Sequence, residues 1–238
     1  MSTLVLTAHG SRDPRSGANA EAVADRLSRM RPDLDVRLAF LELNAPNFVD
    51  VLAGLPDARR AVVAPFLLAS AYHARLDIPK QIAEAGAHGI RQADVLGEDE
   101  RLVSVLRERL VEAGVSPLDG ELGVMVVAIG SSNLAANART AKVAARLAAG
   151  TQWAAATTAF ATRPEASVER AADQLRRRGA RRLVIAPWFL APGFITDGVS
   201  NFARDNGIPM TAPLGAHRLV AETVLDRYDE ALSADAAA

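Results

Sequence analysis

The chain has 238 residues, half of them hydrophobic and 23% charged, which excludes general disorder and allows one large core or two small ones. Its formal charge of −1 gives no basic field for nucleic acid and no acidic field for basic partners. Cysteine is absent, which removes disulfides, zinc–thiolate sites, iron–sulfur clusters and thiol nucleophiles; any metal must be held by imidazole, carboxylate or other oxygen ligands.

Residues 4–8 form a short apolar run of buried-strand type. No basic region precedes this run and His9-Gly10 stops it, so it does not read as a signal peptide. Ala20, Val23, Ala24, Leu27 and Met30 then share one helix face. Residues 36–41 predict a second strand, and 61–64 a third, stopped by Pro65. A short helix follows over 78–85 and a weak strand near 93–96. Leu102, Val105, Leu106 and Leu110 give a further helix, ended by Gly114 and Pro117, and 114–121 reads as a linker. Beyond it the pattern starts again.

Leu4-Val5-Leu6-Thr7-Ala8-His9-Gly10-Ser11 lies about 120 residues before Val124-Met125-Val126-Val127-Ala128-Ile129-Gly130-Ser131. Val23-Ala24-Asp25-Arg26-Leu27 matches Val143-Ala144-Ala145-Arg146-Leu147 at the same offset. At nearly that offset Val62-Val63-Ala64-Pro65-Phe66-Leu67-Leu68-Ala69 matches Val184-Ile185-Ala186-Pro187-Trp188-Phe189-Leu190-Ala191. Chance similarity between alanine-rich segments does not hold register in this way, so the chain is a tandem duplication. Strands alternating with helices imply α/β architecture. The expectation is two tandem doubly wound units, 1–116 and 121–238, each a four-stranded parallel sheet flanked by helices, facing each other across one cleft. Pro192, Phe194 and Trp188 would help to wall that cleft. The uncharged stretch 183–195 is too short, and too broken by Pro187, Pro192 and Gly193, to span a bilayer. A cytoplasmic, soluble monomer is expected.

In doubly wound sheets ligands sit beyond the carboxyl ends of the strands. His9 follows strand one directly, Glu42 follows strand two, and His73 lies just past strand three. Strands one and three are neighbours in the usual winding order, so both imidazoles can face one crevice. Two neutral imidazoles suit Fe²⁺, Co²⁺, Ni²⁺ or Zn²⁺, and Glu42 can bind metal or accept protons. For either histidine alone, capping a loop is the simpler account. The repeat separates the two accounts: His9 aligns with Ile129 and His73 with Ile195, while the apolar framework around them is kept. Paired change is expected if both act on one ligand.

Leu6-Thr7-Ala8-His9-Gly10-Ser11-Arg12, Ala39-Phe40-Leu41-Glu42, and the segment from Pro65-Phe66-Leu67-Leu68 through His73 to Asp77-Ile78-Pro79 resemble the sirohydrochlorin chelatases. These are ATP-independent class II chelatases of siroheme and cobalamin synthesis. The resemblance is close over the first half and degenerate over the second, as in members with two fused units. It implies that His9 and His73 bind the metal and remove protons, with Glu42 as the acidic partner. It further implies a divalent metal substrate, Fe²⁺ favoured and Co²⁺ possible, and no permanently bound cofactor. The tetrapyrrole is a polycarboxylate, for which Ser11, Arg12, Ser70, Tyr72 and Arg75 are candidate contacts, with Arg15 and Lys80 nearby. For each arginine alone, a solvated surface charge is the simpler account. The alternative function is a non-catalytic protein that binds and delivers the metal or the tetrapyrrole. His88 reads as a turn residue and His217 as a cap or interdomain contact. No glycine-rich phosphate loop and no aromatic-basic nucleic-acid face is present.

Overall fold

The computed structural model describes residues 2–69, 73–163 and 167–234, and of residues 73 and 74 the backbone alone. The chain divides into two compact units, one built from 1–99 and 216–238, the other from 100–215.

In the first unit β1 (Ser2–Ala8) lies between β2 (Leu34–Phe40) and β3 (Ala61–Pro65), and a short β4 (Arg91–Gln92) closes the far edge. All pairings are parallel. Both neighbours of β1 are strands and both its faces are covered, which is why it reads as an unbroken apolar run; Leu4, Val5 and Leu6 have no exposed surface. α1 (Pro14–Met30) starts at the Asp13 cap with proline in its first turn, and it turns Gly17, Ala20, Val23 and Leu27 inward. α2 (Phe48–Ala53) and α3 (Ile78–Glu84) cover one face of the sheet, where Val5, Ala39 and Val63 meet Phe48, Leu52 and Ile78. The six-residue α2 has no counterpart in the sequence expectation.

The second unit begins with α4 (Glu100–Glu112), followed by β5 (Leu122–Ala128), α5 (Leu134–Thr140), α6 (Val143–Ala148) and β6 (Ala155–Phe160). α7 (Val168–Arg177), β7 (Arg182–Pro187) and α8 (Phe194–Asp205) complete it. Its parallel sheet has the order β6-β5-β7. The expected fourth strand is reduced to a single bridge between Ile185 and Met210. Pro209 accepts from Ile185 N–H but has no N–H of its own with which to extend a ladder. Trp188, expected to wall a ligand cleft, is 2% exposed and belongs to this unit's interior.

The compact units do not follow the expected boundaries of 1–116 and 121–238. α4 packs on α6 and β7 of the second unit, whereas the final helix α9 (Arg218–Ser233) packs on α1, β3 and β4 of the first. Each sheet thus receives one helix from the other sequence repeat. Both helices carry the same kind of apolar face: Leu102, Val105, Leu106 and Leu110 in α4, and Val220, Ala221, Val224 and Tyr228 in α9. The amphipathic pattern is therefore satisfied by either pairing. Among the described residues no helix is long and apolar enough to cross a membrane.

Candidate active site

The site is built where β1 and β2 run out. Parallel pairing continues past both strands: Leu41 N–H donates to the Ala8 carbonyl and Glu42 N–H to the His9 carbonyl, each at 3.0 Å. These bonds place Glu42 beside His9. His9 is half-buried and Glu42 exposed, so the carboxylate faces solvent at the rim while the imidazole sits deeper.

Two further features interlock the loops. Gly10 has φ 97°, and a Cβ there would stand 1.8 Å from the Glu42 carbonyl oxygen, so only glycine lets the loops approach this closely. Ser11 N–H donates to Asn44 Oδ1 at 2.6 Å, which ties the β1 loop to the β2 loop a second time. Asn44 is thus a site-forming residue that sequence reasoning missed. The Asn44-Ala45-Pro46 triplet is a turn signal, but it does not say what the amide would hold. Ser11 Oγ, expected as a substrate contact, accepts Asp13 N–H at 3.0 Å and so also shapes the loop.

The cations sort by their partners. Arg12 and Arg75 are exposed. Arg15 Nε donates to Asp13 Oδ1 at 2.9 Å, and this guanidinium holds the Asp13 carboxyl below its ordinary pKa. Lys80 lies 3.7 Å from Glu84, one helical turn on. Arg75 occupies a single π-helical turn, His73–Asp77, that leads into α3. His73 opens that turn, beyond the end of β3, and β3 is held alongside β1 by Phe66 N–H donating to the Thr7 carbonyl at 2.8 Å. The His73 side chain, Ser70 and Tyr72 lie outside the described residues. From α3, Gln81 Nε2 reaches the Leu41 carbonyl at 3.5 Å, next to Glu42. Among the described residues no group of three or more His, Asp or Glu side chains converges on one point. His217 caps α9 through Nδ1, which accepts Leu219 N–H at 3.2 Å, and His88 is an exposed turn residue.

The second unit repeats this geometry with different chemistry. Ala161 N–H donates to Ala128 O and Thr162 N–H to Ile129 O, as in the first unit. Ile129 and Ile195, each 44% exposed, stand where His9 and His73 stand in the first unit. The scaffold is present and the titratable groups are not.

The CbiX family profile matches residues 3–113 and again 123–231. A sirohydrochlorin cobaltochelatase of Priestia megaterium is 28% identical over 82% of this chain and 66% of its own length. A sirohydrochlorin ferrochelatase of the same organism is 27% identical over 84% of this chain and 77% of its own. The solved structure of SirB from Bacillus subtilis with Fe³⁺ superposes with a TM-score of 0.79 over 99% of this chain and 98% of that one; at 22% identity this shows the fold alone. The profile accounts for both halves, and the motifs around His9, Glu42 and His73 fall within its first match, so the chain belongs to the CbiX family of sirohydrochlorin chelatases.

Proposed function

We propose that the chain inserts a divalent metal ion into sirohydrochlorin without nucleotide, with the site in the first unit. The observation that carries this is the contrast between two copies of one scaffold. The first copy has His9 bonded through its backbone to Glu42, with His73 past the adjacent strand. The second has Ile129, Thr162 and Ile195 at those places.

The reaction exchanges two pyrrole N–H protons for M²⁺ and releases two protons. Imidazole suits both halves of that exchange, because a neutral ring nitrogen can ligate the ion or accept a proton near pH 7. Ligation by nitrogen and oxygen, without thiolate, lets the ion leave for the macrocycle. Glu42, exposed at the rim, is placed to accept a displaced proton or to guide the incoming cation. Arg12 and Arg75 are exposed cations suited to the substrate carboxylates, and Tyr72 and Ser70 belong to the same proposed contact set. The two Priestia megaterium relatives carry different metals in their names at nearly equal identity. Fe²⁺ is the favoured substrate and Co²⁺ the second.

The test is anaerobic incubation of the purified protein with sirohydrochlorin and Fe²⁺, Co²⁺ or Ni²⁺, following the absorbance change. Wild type should exceed the uncatalysed rate. His9→Ala and His73→Ala should each lose about 100-fold or more, and the double variant little more than either. Melting temperatures should hardly move, since substitutions away from the core usually stay within about 0.5 kcal/mol. Binding of sirohydrochlorin with no rate enhancement would leave a delivery protein. Loss of activity matched by loss of stability would return both histidines to a structural role.

A further inference from the structure

The turn that follows Glu42 is not one the fold requires. Asn44 N–H donates to the Glu42 carbonyl at 2.7 Å, closing a three-residue γ-turn, and its central residue, Leu43, has φ 65°. Leu43 alone among the described non-glycine residues has a positive φ. In that region the Cβ of an L-residue crowds the backbone, and glycine, asparagine or aspartate is the usual occupant. Leucine is an expensive choice there, and burial does not repay it: Leu43 is 62% exposed. The turn is held from outside by the Asn44 side chain on Ser11 N–H and by the Glu42 carbonyl seated against Gly10.

The second unit shows what the scaffold needs by itself. It pairs its first two strands in the same register, from Ala128 opposite Phe160 as from Ala8 opposite Phe40. It continues them with the same Thr162 N–H to Ile129 bond. Arg163 stands at the Leu43 position without a positive φ, and Ser131 N–H finds its amide on Asn137, within its own loop. The second unit therefore continues its strands without a positive φ at the residue that corresponds to Leu43. The left-handed leucine occurs only in the copy that has His9 and Glu42.

The geometry points to Leu43 as a substrate-contacting residue, its side chain held out by the γ-turn to press on the apolar face of the tetrapyrrole. This rests on the chelatase reading and deepens it. A macrocycle that offers its pyrrole nitrogens to His9 must pass over the residue next to Glu42. Its acid groups lie on the periphery, whereas the conjugated ring face is flat and apolar, matching an exposed leucine rather than a cation. Leu76, in the turn that His73 opens, is a second exposed leucine of the first unit, 55% exposed.

Glycine adopts φ 65° freely, so Leu43→Gly keeps the turn and removes only the side chain. Metal-free sirohydrochlorin is titrated into wild type, Leu43→Gly and Leu43→Ala, reading fluorescence quenching, together with steady-state kinetics and thermal melts. Both variants should bind about tenfold more weakly, the scale of losing one well-buried aliphatic contact. KM should rise in proportion and kcat should stay within about twofold. Leu43→Gly should melt no lower than wild type. If wild type binds no sirohydrochlorin, the chelatase reading falls and this inference with it. If wild type binds and Leu43→Gly binds equally well, this inference alone is overturned. A fall in kcat at constant KM would also overturn it, making the turn a positioning device for Glu42.

Discussion

Asp13 is 2% exposed, caps α1, and takes three bonds from Arg15, one from the backbone N–H and two from the guanidinium. Its pKa is lowered in the fold, chiefly by the Arg15 side chain. A carboxyl depressed in the folded state stabilises above its unfolded pKa, and that stability is lost as pH falls through the folded value. Asn at the same place keeps the cap but carries no charge. Asp13→Asn should therefore melt below wild type at neutral pH, and the gap should close as pH drops below the ordinary carboxylate range. Melting curves of both proteins from neutral to acid pH measure this, and a gap independent of pH would show that the charge adds nothing. At this scale the sequence carries identities but few contacts. His9 and Glu42 were legible as candidates because they stand at strand ends, and His9 also has an unlike counterpart, Ile129, in the repeat. Asn44, Gly10 and Leu43 were not, because their roles come from the approach of two loops far apart in the chain.

The elements whose residues are buried on both faces were the most legible, since β1, β3 and the inward face of α1 are fixed by burial alone. Marginal elements were not. β4 lies at 91–92 rather than near 93–96, and the strand it would match in the second unit is cut to one bridge beside Pro209. α9 shows what holds an element to its sheet. Beyond its apolar face, Arg227 reaches the Val95 carbonyl at 3.3 Å, the Leu96 carbonyl at 3.4 Å and Asp99 Oδ2 at 2.9 Å. The two side chains are only 19% and 14% exposed, so water screens this pair less than a surface ion pair. Arg227→Met keeps the aliphatic stem and removes the donors. It should destabilise the first unit by about 1–3 kcal/mol, the worth of buried hydrogen bonds to a charged group. Urea unfolding measures it, and a loss under about 0.5 kcal/mol, the range of an ordinary surface change, would assign the hold of α9 to its apolar face alone.

The tandem duplication is legible from register, yet the exchange of helices is not, because α4 and α9 are repeat equivalents with the same apolar spacing. Only packing decides which sheet each one covers, and it places α9 on β3 and α1. Val220, Ala221, Val224, Leu225 and Tyr228 are buried in α9. Full burial of each of the larger apolar side chains contributes about 1.5–3 kcal/mol, so their sum rivals the about 5–15 kcal/mol that stabilises a typical domain. A chain ending at Gly215 should therefore lose the first unit and keep the second, whose residues 100–215 are continuous. Hydrogen exchange read by mass spectrometry distinguishes the outcomes. Amides of β1 and β3 should lose protection while those of β5 and β7 retain it, and chelatase turnover should vanish with the first pair. The opposite pattern, β1 and β3 protected and β5 and β7 open, would mean that α4 had moved to cover the first sheet in place of α9. Protection unchanged throughout would show that α9 is dispensable and that the first unit closes without it.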